Sequence, residues 1–393
     1  MSNTVLTPTA VTRKALMILH QKLNFIGRIN RQYDDSYAQS GAKIGSDLKI
    51  RLPNQYTVRT GATIATQDTS ETSVTMTVST QKGVDVNFSS NELTLSLDDF
   101  AERILEPAMS VLAANIENDA LSMYKDVYQQ ESNVGSAATY AKLLGVRKRL
   151  VDALTPTDKT LTMCLNTQDN VDLVDAMKGL FQPSAILAEQ MRDGSLGRSA
   201  GFEFFENTLL QKHTSGTDAN GYLINGASQT GASLTVDTGT GTMKKGDIIT
   251  VAGVNRVHPE TKADTGSLQQ FVVTADAAAN ATSISISPSI TTSGATQNVT
   301  GAPADNAAIT KVGGNAAVYG ISLGFHKNAF AIAFADLVMP KGVDFAAREV
   351  MDGISMRIVR QYDITNDKFP CRLDVLYGYK TLRAQLASRF ANN

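Results

Sequence analysis

The 393-residue chain has no tryptophan, two cysteines and four histidines. It therefore has few residues for disulfide bonds or for histidine-based catalysis and metal binding. Cys164 and Cys371 are too few for the disulfide framework of a small secreted protein, and they suit a reducing compartment. No charge of one sign dominates, because 36 lysines and arginines are matched by 38 aspartates and glutamates. A formal charge of −2 creates no strong field that would attract nucleic acid or an anionic membrane.

The chain also has no run of about 18 consecutive apolar residues, the length that a membrane-spanning helix requires. Its first residues, MSNTVLTPTA, have neither the basic flank nor the apolar core of a secretion signal. We therefore expect an intracellular protein with no membrane partner.

Motifs for catalysis, metal binding and phosphate binding are absent from the sequence. No histidine belongs to an HExxH or other paired-ligand spacing; the four are His20, His213, His258 and His326. No GxSxG motif is present to hold a nucleophilic serine. Residues 239–241 lack the rest of a phosphate-binding loop, and residues 193–195 lack the later ligands of a calcium loop. The sequence predicts no catalytic residue, metal site or cofactor, and we expect a protein that is not an enzyme.

What the sequence does contain is a long amphipathic helix, predicted from about Ser96 to Gln130. Apolar residues recur there at helical spacing: Phe100, Ile104, Ala108, Leu112, Ile116, Ala120, Met123 and Val127. Ser96 is a suitable N-cap, and Asp98 suits the positive end of the helix dipole. A helix of about 30 residues spans roughly 45 Å, far more than is usual in a globular protein. Pro107 lacks a backbone donor, so we expect a bend near the first third of the helix.

Before this helix, from Asp47 to Leu97, the apolar period changes to two, which predicts strands. The alternating residues are Leu48, Ile50, Leu52, Val74, Met76, Val78, Val84, Val86 and Phe88. A polar tip that contains glycine, residues 59–63, separates the first two runs. Because the strands have few large side chains, they either cover a local sheet as a hairpin or reach over a neighbouring subunit as an arm.

The first predicted helix, residues 8–32, has an apolar side formed by Leu16, Ile18, Leu19 and Leu23. Its charged residues are all basic; they are Arg13, Lys14, Lys22, Arg28 and Arg31. Charged stripes of this kind are commonly solvated helix faces. The alternative is an arm that lies on a partner subunit or faces an acidic surface.

After the long helix, helix and strand signals alternate, which favours an α+β domain. A helix is predicted at 136–154, a strand at 160–165 and a helix at 168–180. The expected buried side of the first of these helices consists of Tyr140, Leu143, Leu144, Leu150 and Val151.

Residues 214–312 differ in composition, being rich in threonine, serine, glycine and alanine. Short strands are predicted there at 233–236, 248–251, 271–273 and 283–286. Mixed α+β character returns from residue 316. We therefore predict a small β domain inserted into an α+β domain.

The order of these parts, closing with residues 372–379, resembles the major capsid proteins of tailed bacteriophages, which share the Hong-Kong-97-type fold. Within that family the chain is most similar to the branch typified by the coat protein of the short-tailed Salmonella phage, which has an extra inserted domain. Three stretches carry the closer resemblance: Met191 to Phe202, Met243 to Val254 and Asn328 to Pro340. The resemblance covers nearly the whole chain in order.

The resemblance implies an α+β fold with a role for each segment. The segments are an N-terminal arm (1–39), an extended loop with a β-ribbon (40–92), a spine helix of the peripheral domain (93–135), the first part of an apical domain (136–213), an inserted β-barrel (214–312) and the completion of the apical and peripheral domains (313–393). It also implies self-assembly into the hexamers and pentamers of an icosahedral shell, with a scaffolding protein and a portal protein as partners. Such shells enclose double-stranded DNA without sequence specificity and expand as it enters. We therefore expect a virion protein that is assembled in the cytoplasm of a bacterial host.

On this resemblance we expect intersubunit contacts in the extended loop and the arm, at Arg51, Arg59, Thr60, Gln67, Arg13 and Arg28. Crosslinking members of the family join a lysine of this loop to an asparagine of a neighbour. The stretch 59–67 contains no lysine, while Lys43 and Lys49 lie at the base of the loop. We therefore expect no such bond here.

Two other functions remain open at the level of sequence. One is another virion structural protein, such as a tail-tube or decoration protein, although the long spine helix argues against a tail tube. The other is a β-rich surface-binding module. A sugar-binding module needs aromatic platforms, and the inserted segment offers little beyond Tyr222 and Phe271.

Overall fold

The computed structural model describes residues 8–31, 46–64, 66–67, 72–88, 101–177, 196–218, 220–365 and 368–392. Within them the α-helices are α1 (Pro8–Lys22), α2 (Glu106–Leu121), α3 (Tyr140–Asp152) and α4 (Thr167–Met177). Short 3₁₀ helices cover Ile26–Arg28, Ser122–Asp126, Lys327–Ala329 and Ala384–Leu386, and a π-helical turn covers Ala101–Leu105. Helices and strands are mixed along the chain, which confirms the α+β class.

The strands of the described residues are, in chain order, β1 (Ser46–Arg51), β2 (Ser73–Val78), β3 (Thr80–Phe88), β4 (Gln130–Ser132), β5 (Leu161–Leu165), β6 (Arg198–Ser199), β7 (Phe202–Glu206), β8 (His213–Thr214), β9 (Leu223–Ile224), β10 (Gly231–Asp237), β11 (Ile248–Val257), β12 (Asp264–Val273), β13 (Ser283–Ile290), β14 (Ile309–Val312), β15 (Val318–His326), β16 (Phe330–Ala335), β17 (Phe345–Met351), β18 (Ile354–Arg360), β19 (Phe369–Thr381) and β20 (Ala387–Asn392).

Contacts between residues divide the chain into two compact units. Unit 1 comprises Met1–Leu52, Ser73–Ala120 and Phe330–Lys380. Unit 2 comprises Pro53–Thr72, Leu121–Ala329 and Thr381–Asn393. The limits of the six segments that the resemblance implies stay predictions.

The main sheet of unit 1 has the strand order β16-β19-β18-β17, and β3 also pairs with β19 in antiparallel register. Helix α1 packs on β17 and β18 through Leu16 and Leu19, which are fully buried. β1 and β2 form a separate antiparallel hairpin. The period-two prediction for this hairpin is confirmed, because Ile50, Met76 and Val78 are buried while their neighbours are more exposed.

The predicted long helix is confirmed from residue 101 to residue 126. Its buried residues include Ala108, Leu112, Ile116, Ala120 and Met123, as the spacing predicts, and Val127 directly after it is buried too. Pro107 lies where π-helical geometry changes to α-helical geometry, and its missing N–H removes a hydrogen bond that a regular α-helix would contain. The predicted end is wrong, since Gln130 belongs to β4, and the predicted start at Ser96 lies outside the described residues.

A second sheet, with the order β4-β20-β15-β5-β7-β6, belongs to unit 2, and β8 also pairs with the first two residues of β15. The strand predicted at 160–165 is confirmed as β5, which is buried along its whole length. Helix α3 packs on β4 and β20 with Leu143, Val146 and Leu150 buried. Burial of Leu144 and Val151 is a wrong prediction, because both side chains point away from the sheet into solvent.

The remaining strands of unit 2 form a six-stranded sheet with the order β14-β11-β12-β13-β10-β9. The sheet nearly closes on itself, because Ile224 N donates to Ala307 O at 3.0 Å and Ile309 N donates to Tyr222 O at 3.1 Å. We call residues 222–312 the barrel. All four strands predicted in this stretch from sequence are present, as parts of β10 to β13. The barrel has its own apolar core, which includes Tyr222, Phe271 and many isoleucine and valine side chains.

Candidate assembly site

The loop that follows β1 exposes apolar side chains. Residues 52–64 have no regular secondary structure, and every residue described from 55 to 67 is exposed. Tyr56 is 60% exposed, Ile64 78% and Val58 95%. Large exposed apolar patches mark interaction sites, so this loop is the candidate assembly site.

Hydrogen bonds within the loop define its shape. The side-chain amide of Gln67 donates to Thr57 O at 2.6 Å and accepts from Thr57 N at 2.9 Å. These two bonds connect the two sides of the loop, in the way that the backbone of a neighbouring strand would bond to Thr57. The Arg59 guanidinium donates to Gly61 O, and Gly61 has a φ of +97°, which favours glycine. Of the predicted contact residues, Arg59, Thr60 and Gln67 thus lie together in one ordered loop.

Arg51 lies at the other end of the predicted loop segment. It is the last residue of β1, opposite Ser73 of β2, and its side chain is exposed. A hydrogen bond of 2.6 Å from Thr77 Oγ1 to Asp47 Oδ1 joins the same two strands on their exposed face. The strands that precede and follow the loop in the chain are therefore paired with each other and partly buried.

Three basic residues of α1 and of the segment after it pair with acids of the same chain. Arg13 lies 3.7 Å from Glu349, Lys22 lies 3.5 Å from Glu106, and Arg31 lies 2.8 Å from Asp352. Exposed pairs of this kind contribute little to stability. This arrangement favours the solvated-face interpretation, and the role of the helix as an arm on a partner subunit stays a prediction.

Two details complete the charge pattern of this surface. His20 Nε2 lies 2.9 Å from Asp352 Oδ2, and this hydrogen bond, together with the Arg31 guanidinium, holds the pKa of Asp352 below its usual value. The Arg28 guanidinium donates to the carbonyl of Asn24 at 3.2 Å. Arg13 and Arg28 therefore bond to different parts of the chain, and their intersubunit role stays a prediction.

Sequence reasoning missed the polar attachment of the barrel to the rest of unit 2. The Gln270 side chain accepts from Gln130 N at 2.8 Å and donates to Gln130 O at 3.0 Å. Arg149 Nε donates to Glu131 at 2.9 Å, and its Nη1 donates to Gln270 at 3.3 Å. In the sequence, this contact corresponds to two Gln-Gln pairs, at 129–130 and 269–270. Because the contact is polar, the spacing of apolar residues cannot reveal it.

A cleft of about 740 Å³ lies beside this attachment, lined by α3, the strand β4 and the barrel strands β11 and β12. Its charges are mixed, with Lys148, Arg149 and Arg256 close to Glu131 and Asp152. The described residues contain no group of three or more histidine, cysteine or acidic side chains that could hold a metal ion. The part of the chain that the structure describes also has no helix both long and apolar enough to cross a membrane.

The aromatic residues of the barrel are not available as sugar platforms. Tyr222 and Phe271 are fully buried, and the Tyr222 hydroxyl donates to Gly241 O at 2.7 Å inside the barrel. This arrangement argues against a carbohydrate-binding module.

Comparison with known proteins identifies relatives at the level of sequence family. A family model described as P22 coat protein, gene protein 5, matches residues 26–388. No curated protein matches the sequence. These 363 residues include the described parts of the loop, the long helix and the whole barrel.

Similar solved structures include chains from phages. A chain from Mycobacterium phage Che8 is 12% identical, with a TM-score of 0.49, and the match covers 94% of this chain and 90% of that one. A chain from the capsid structure of the cyanophage P-SCSP1u is 9% identical, with a TM-score of 0.44 and coverage of 90% and 84%. The CUS-3 coat protein I-domain is 30% identical, with a TM-score of 0.18, and the match covers 26% of this chain and 98% of that one.

Proposed function

The chain belongs to the P22 coat protein family, a family of capsid structural proteins, and we propose that it is the major capsid protein that forms the icosahedral shell of a tailed phage. The observation that carries the proposal is the family match over residues 26–388. Copies of the chain assemble as hexamers and pentamers of the shell. Such closure requires each surface patch to meet a complementary patch on a neighbour.

The exposed loop supports this role. Tyr56, Val58 and Ile64 keep apolar area in solvent that a contact with a neighbouring subunit would bury. A contact between neighbouring subunits covers this area, and the polar residues Arg59 and Thr60 form its rim. Because each subunit is repeated many times, modest contacts sum to a stable shell.

The charge of the chain supports the enclosure of double-stranded DNA without sequence specificity. A formal charge of −2 gives the wall little attraction for the phosphate backbone. A strongly basic lining would retain the genome and oppose its release. A scaffolding protein guides assembly of the precursor shell and a portal protein completes it, in the cytoplasm of the bacterial host, before the shell expands around its DNA.

Electron microscopy of the assembled protein tests the proposal. The purified chain, alone at high concentration and together with a scaffolding protein, is imaged in negative stain. We expect closed shells of uniform size. Small oligomers of constant size under every condition would contradict the proposal, and open tubes would instead indicate a tail component.

A further inference from the structure

Helices α3 and α4 lie side by side on one face of the second sheet. They contact each other, and both contact β15. Both also contribute to one apolar cluster with β5, whose buried members from these three elements are Leu143, Val146, Leu150, Leu173, Leu161, Met163 and Leu165. The members from β5 are every second residue of that strand, so both helices cover the same face of it. The sides of α3 and α4 that turn away from the sheet therefore point in a common direction.

The outward side of α3 combines apolar and basic side chains. Leu144, Lys148 and Val151 are spaced by four and three residues, so they form one ridge along the helix. Leu144 is 40% exposed and Val151 43%, while the Lys148 side chain is 74% exposed. Arg147, next to this ridge, is exposed as well. Asp152, 3.3 Å from Lys148, is the one acid of α3, so the outward side of the helix has a net positive charge.

The outward side of α4 combines apolar and acidic side chains. Val171 is 60% exposed, and Gln168 and Asp175, three residues before it and four after it, are exposed too. The charged residues of α4 are three aspartates, Asp169, Asp172 and Asp175, and the helix contains no basic residue. Because Asp169 is buried, the other two provide the charge at the surface. The outward side of α4 is thus the electrostatic complement of the outward side of α3.

Geometry and charge both favour a second copy of the chain as the molecule that covers these two sides. Within one subunit they cannot meet, because they point in the same direction. A two-fold rotation brings α3 of each subunit over α4 of the other, so that the same patch is used twice. Leu144 and Val151 then contact Val171 of the partner subunit, and Lys148 lies near the aspartates of the partner's α4. Contact of α3 with α3, or of α4 with α4, would instead oppose like charges.

We propose that the outward side of α3 binds the outward side of α4 in a second copy of the chain, and that subunits join as two-fold pairs through this helix layer. The inference rests on the proposed function, because it assigns one contact between subunits of the shell. It uses none of the residues of the exposed loop. Helices of 13 and 11 residues are about 20 and 16 Å long, so the contact buries less than a standard interface of about 1,600 Å². A free pair is therefore weak, and repetition in the shell adds to its strength.

Charge changes in two separate variants test the contact. Lys148→Asp places an acid opposite the aspartates of the partner's α4, and Val171→Lys places a base opposite the basic side of the partner's α3. Because each position occurs twice in a pair, each variant alone should associate at least about tenfold more weakly than the unsubstituted chain. In an equimolar mixture the two new charges face each other and the second half of the contact is unsubstituted, so mixed pairs should regain the lost affinity. Sedimentation equilibrium at about 0.1 M salt, below the concentration at which shells form, measures each affinity.

Val318→Lys is the matched control, because Val318 is also 60% exposed in unit 2 but lies at the start of β15, outside the helix layer. This variant should associate as strongly as the unsubstituted chain, and circular dichroism verifies that every variant is folded. An unsubstituted chain that stays monomeric at every concentration would overturn the proposal, as would a mixture of Lys148→Asp and Val171→Lys no stronger than its components. Pairs that neither variant weakens would show that another surface, such as the exposed loop, joins the copies.

Negative-stain microscopy of the same samples, at a concentration that favours shells, separates this inference from the proposed function. We expect Lys148→Asp and Val171→Lys to lower the yield of shells, and their mixture to restore it. A normal yield from both single variants would refute the inference and leave the proposed function intact. Pairs without shells in every sample would contradict the proposed function and leave the pairing of the helix layers intact.

Discussion

Asp169 is a carboxyl group that the fold of unit 2 has removed from water. It lies in the first turn of α4, where its backbone N donates to Asn166 Oδ1 at 2.7 Å and the Asn166 amide donates back to Asp169 Oδ2 at 3.0 Å. Ser322 Oγ, from β15, donates to the same carboxylate oxygen at 2.5 Å. Burial raises the pKa of Asp169 to about 6, and these hydrogen bonds only partly oppose the shift.

Replacing Asp169 with Asn should change how the stability of the protein depends on pH. Because the pKa of Asp169 is higher in the folded protein than in the unfolded chain, its stabilising effect is complete below about pH 3.8 and is lost as the pH rises through about 6. The difference in unfolding free energy between unsubstituted chain and variant should therefore fall by about 3 kcal/mol from low to neutral pH. Urea unfolding at a series of pH values measures it. A difference that stays constant across the pH range would mean that Asp169 is hydrated in solution.

Among the elements, the long helix is the one that the sequence describes best. Its predicted stripe is buried, but a second row that includes Met109, Ala113 and Glu117 is buried too. Glu117 accepts from Phe25 N at 2.6 Å, so a charged residue in this second row pairs with the segment after α1. The apolar period identifies the first row, whereas the second row depends on which segments pack against the helix.

Replacing Leu112 or Ile116 with Asp should prevent folding. Each substitution places a carboxylate without a partner among apolar side chains and costs several kcal/mol. Circular dichroism and urea unfolding measure the loss. Val111→Asp, on the exposed face of the same helix at 59% exposure, should stay folded. Equal loss in all three variants would show that helix propensity, and not burial, is decisive.

The barrel contains one close approach of backbone to an aromatic ring. A methyl group at Gly239 would collide with the ring of Tyr222. That ring cannot easily move, because its hydroxyl donates to Gly241 O and accepts from Ala281 N at 3.1 Å. Glycine is therefore required at this position for its size.

Replacing Gly239 with Ala should lower the stability of the barrel by about 1–3 kcal/mol, the usual effect of overpacking a core. Gly301→Ala is the matched control in the same barrel, because a methyl group there meets no atom within 4 Å and the backbone has no positive φ. Thermal unfolding followed by circular dichroism distinguishes the two. A Gly239→Ala variant as stable as Gly301→Ala would mean that the Tyr222 ring shifts freely.

For the whole molecule, assembly depends on area that a single chain leaves exposed. Standard protein interfaces bury about 1,600 Å², and a shell needs several such contacts around each subunit. We propose the loop with Tyr56, Val58 and Ile64 as a place where such a contact gains apolar burial. On this proposal, the hydrogen bonds of Gln67 and Arg59 within the loop would lower the entropic cost of association.

Replacing Arg59 with Glu should leave a folded monomer that assembles poorly. The substitution removes the bond to Gly61 and reverses a charge beside the apolar contact, while it touches no buried group. Sedimentation and negative-stain microscopy measure the yield of shells, and circular dichroism verifies the fold. Arg59→Lys keeps the charge and should assemble nearly as well as the unsubstituted chain. An equal yield from Arg59→Glu would show that the loop tip is not an intersubunit contact.

Local sequence patterns determined the class and order of the elements. Period-two alternation predicted β1 and β2, short runs at barrel spacing predicted the barrel strands, and a 3.6-residue period predicted the long helix. Each of these signals depends only on neighbours along the chain. The same local reasoning failed for α3, where Leu144 and Val151 are exposed and Val146 is buried. The buried face of α3 depends on how the helix packs against β4 and β20. The sequence of the helix alone does not specify this packing.

Tertiary structure alone decided the polar contacts. His213 and Asp247 are 34 positions apart, and Gln130 and Gln270 are 140 apart. Hydrogen bonds act over about 3 Å and depend on angle, so such pairs exist only after strand register is established. Apolar burial tolerates variation in partner and geometry, and for this reason the sequence by itself determined the elements and their order, while folding determined which polar side chains meet.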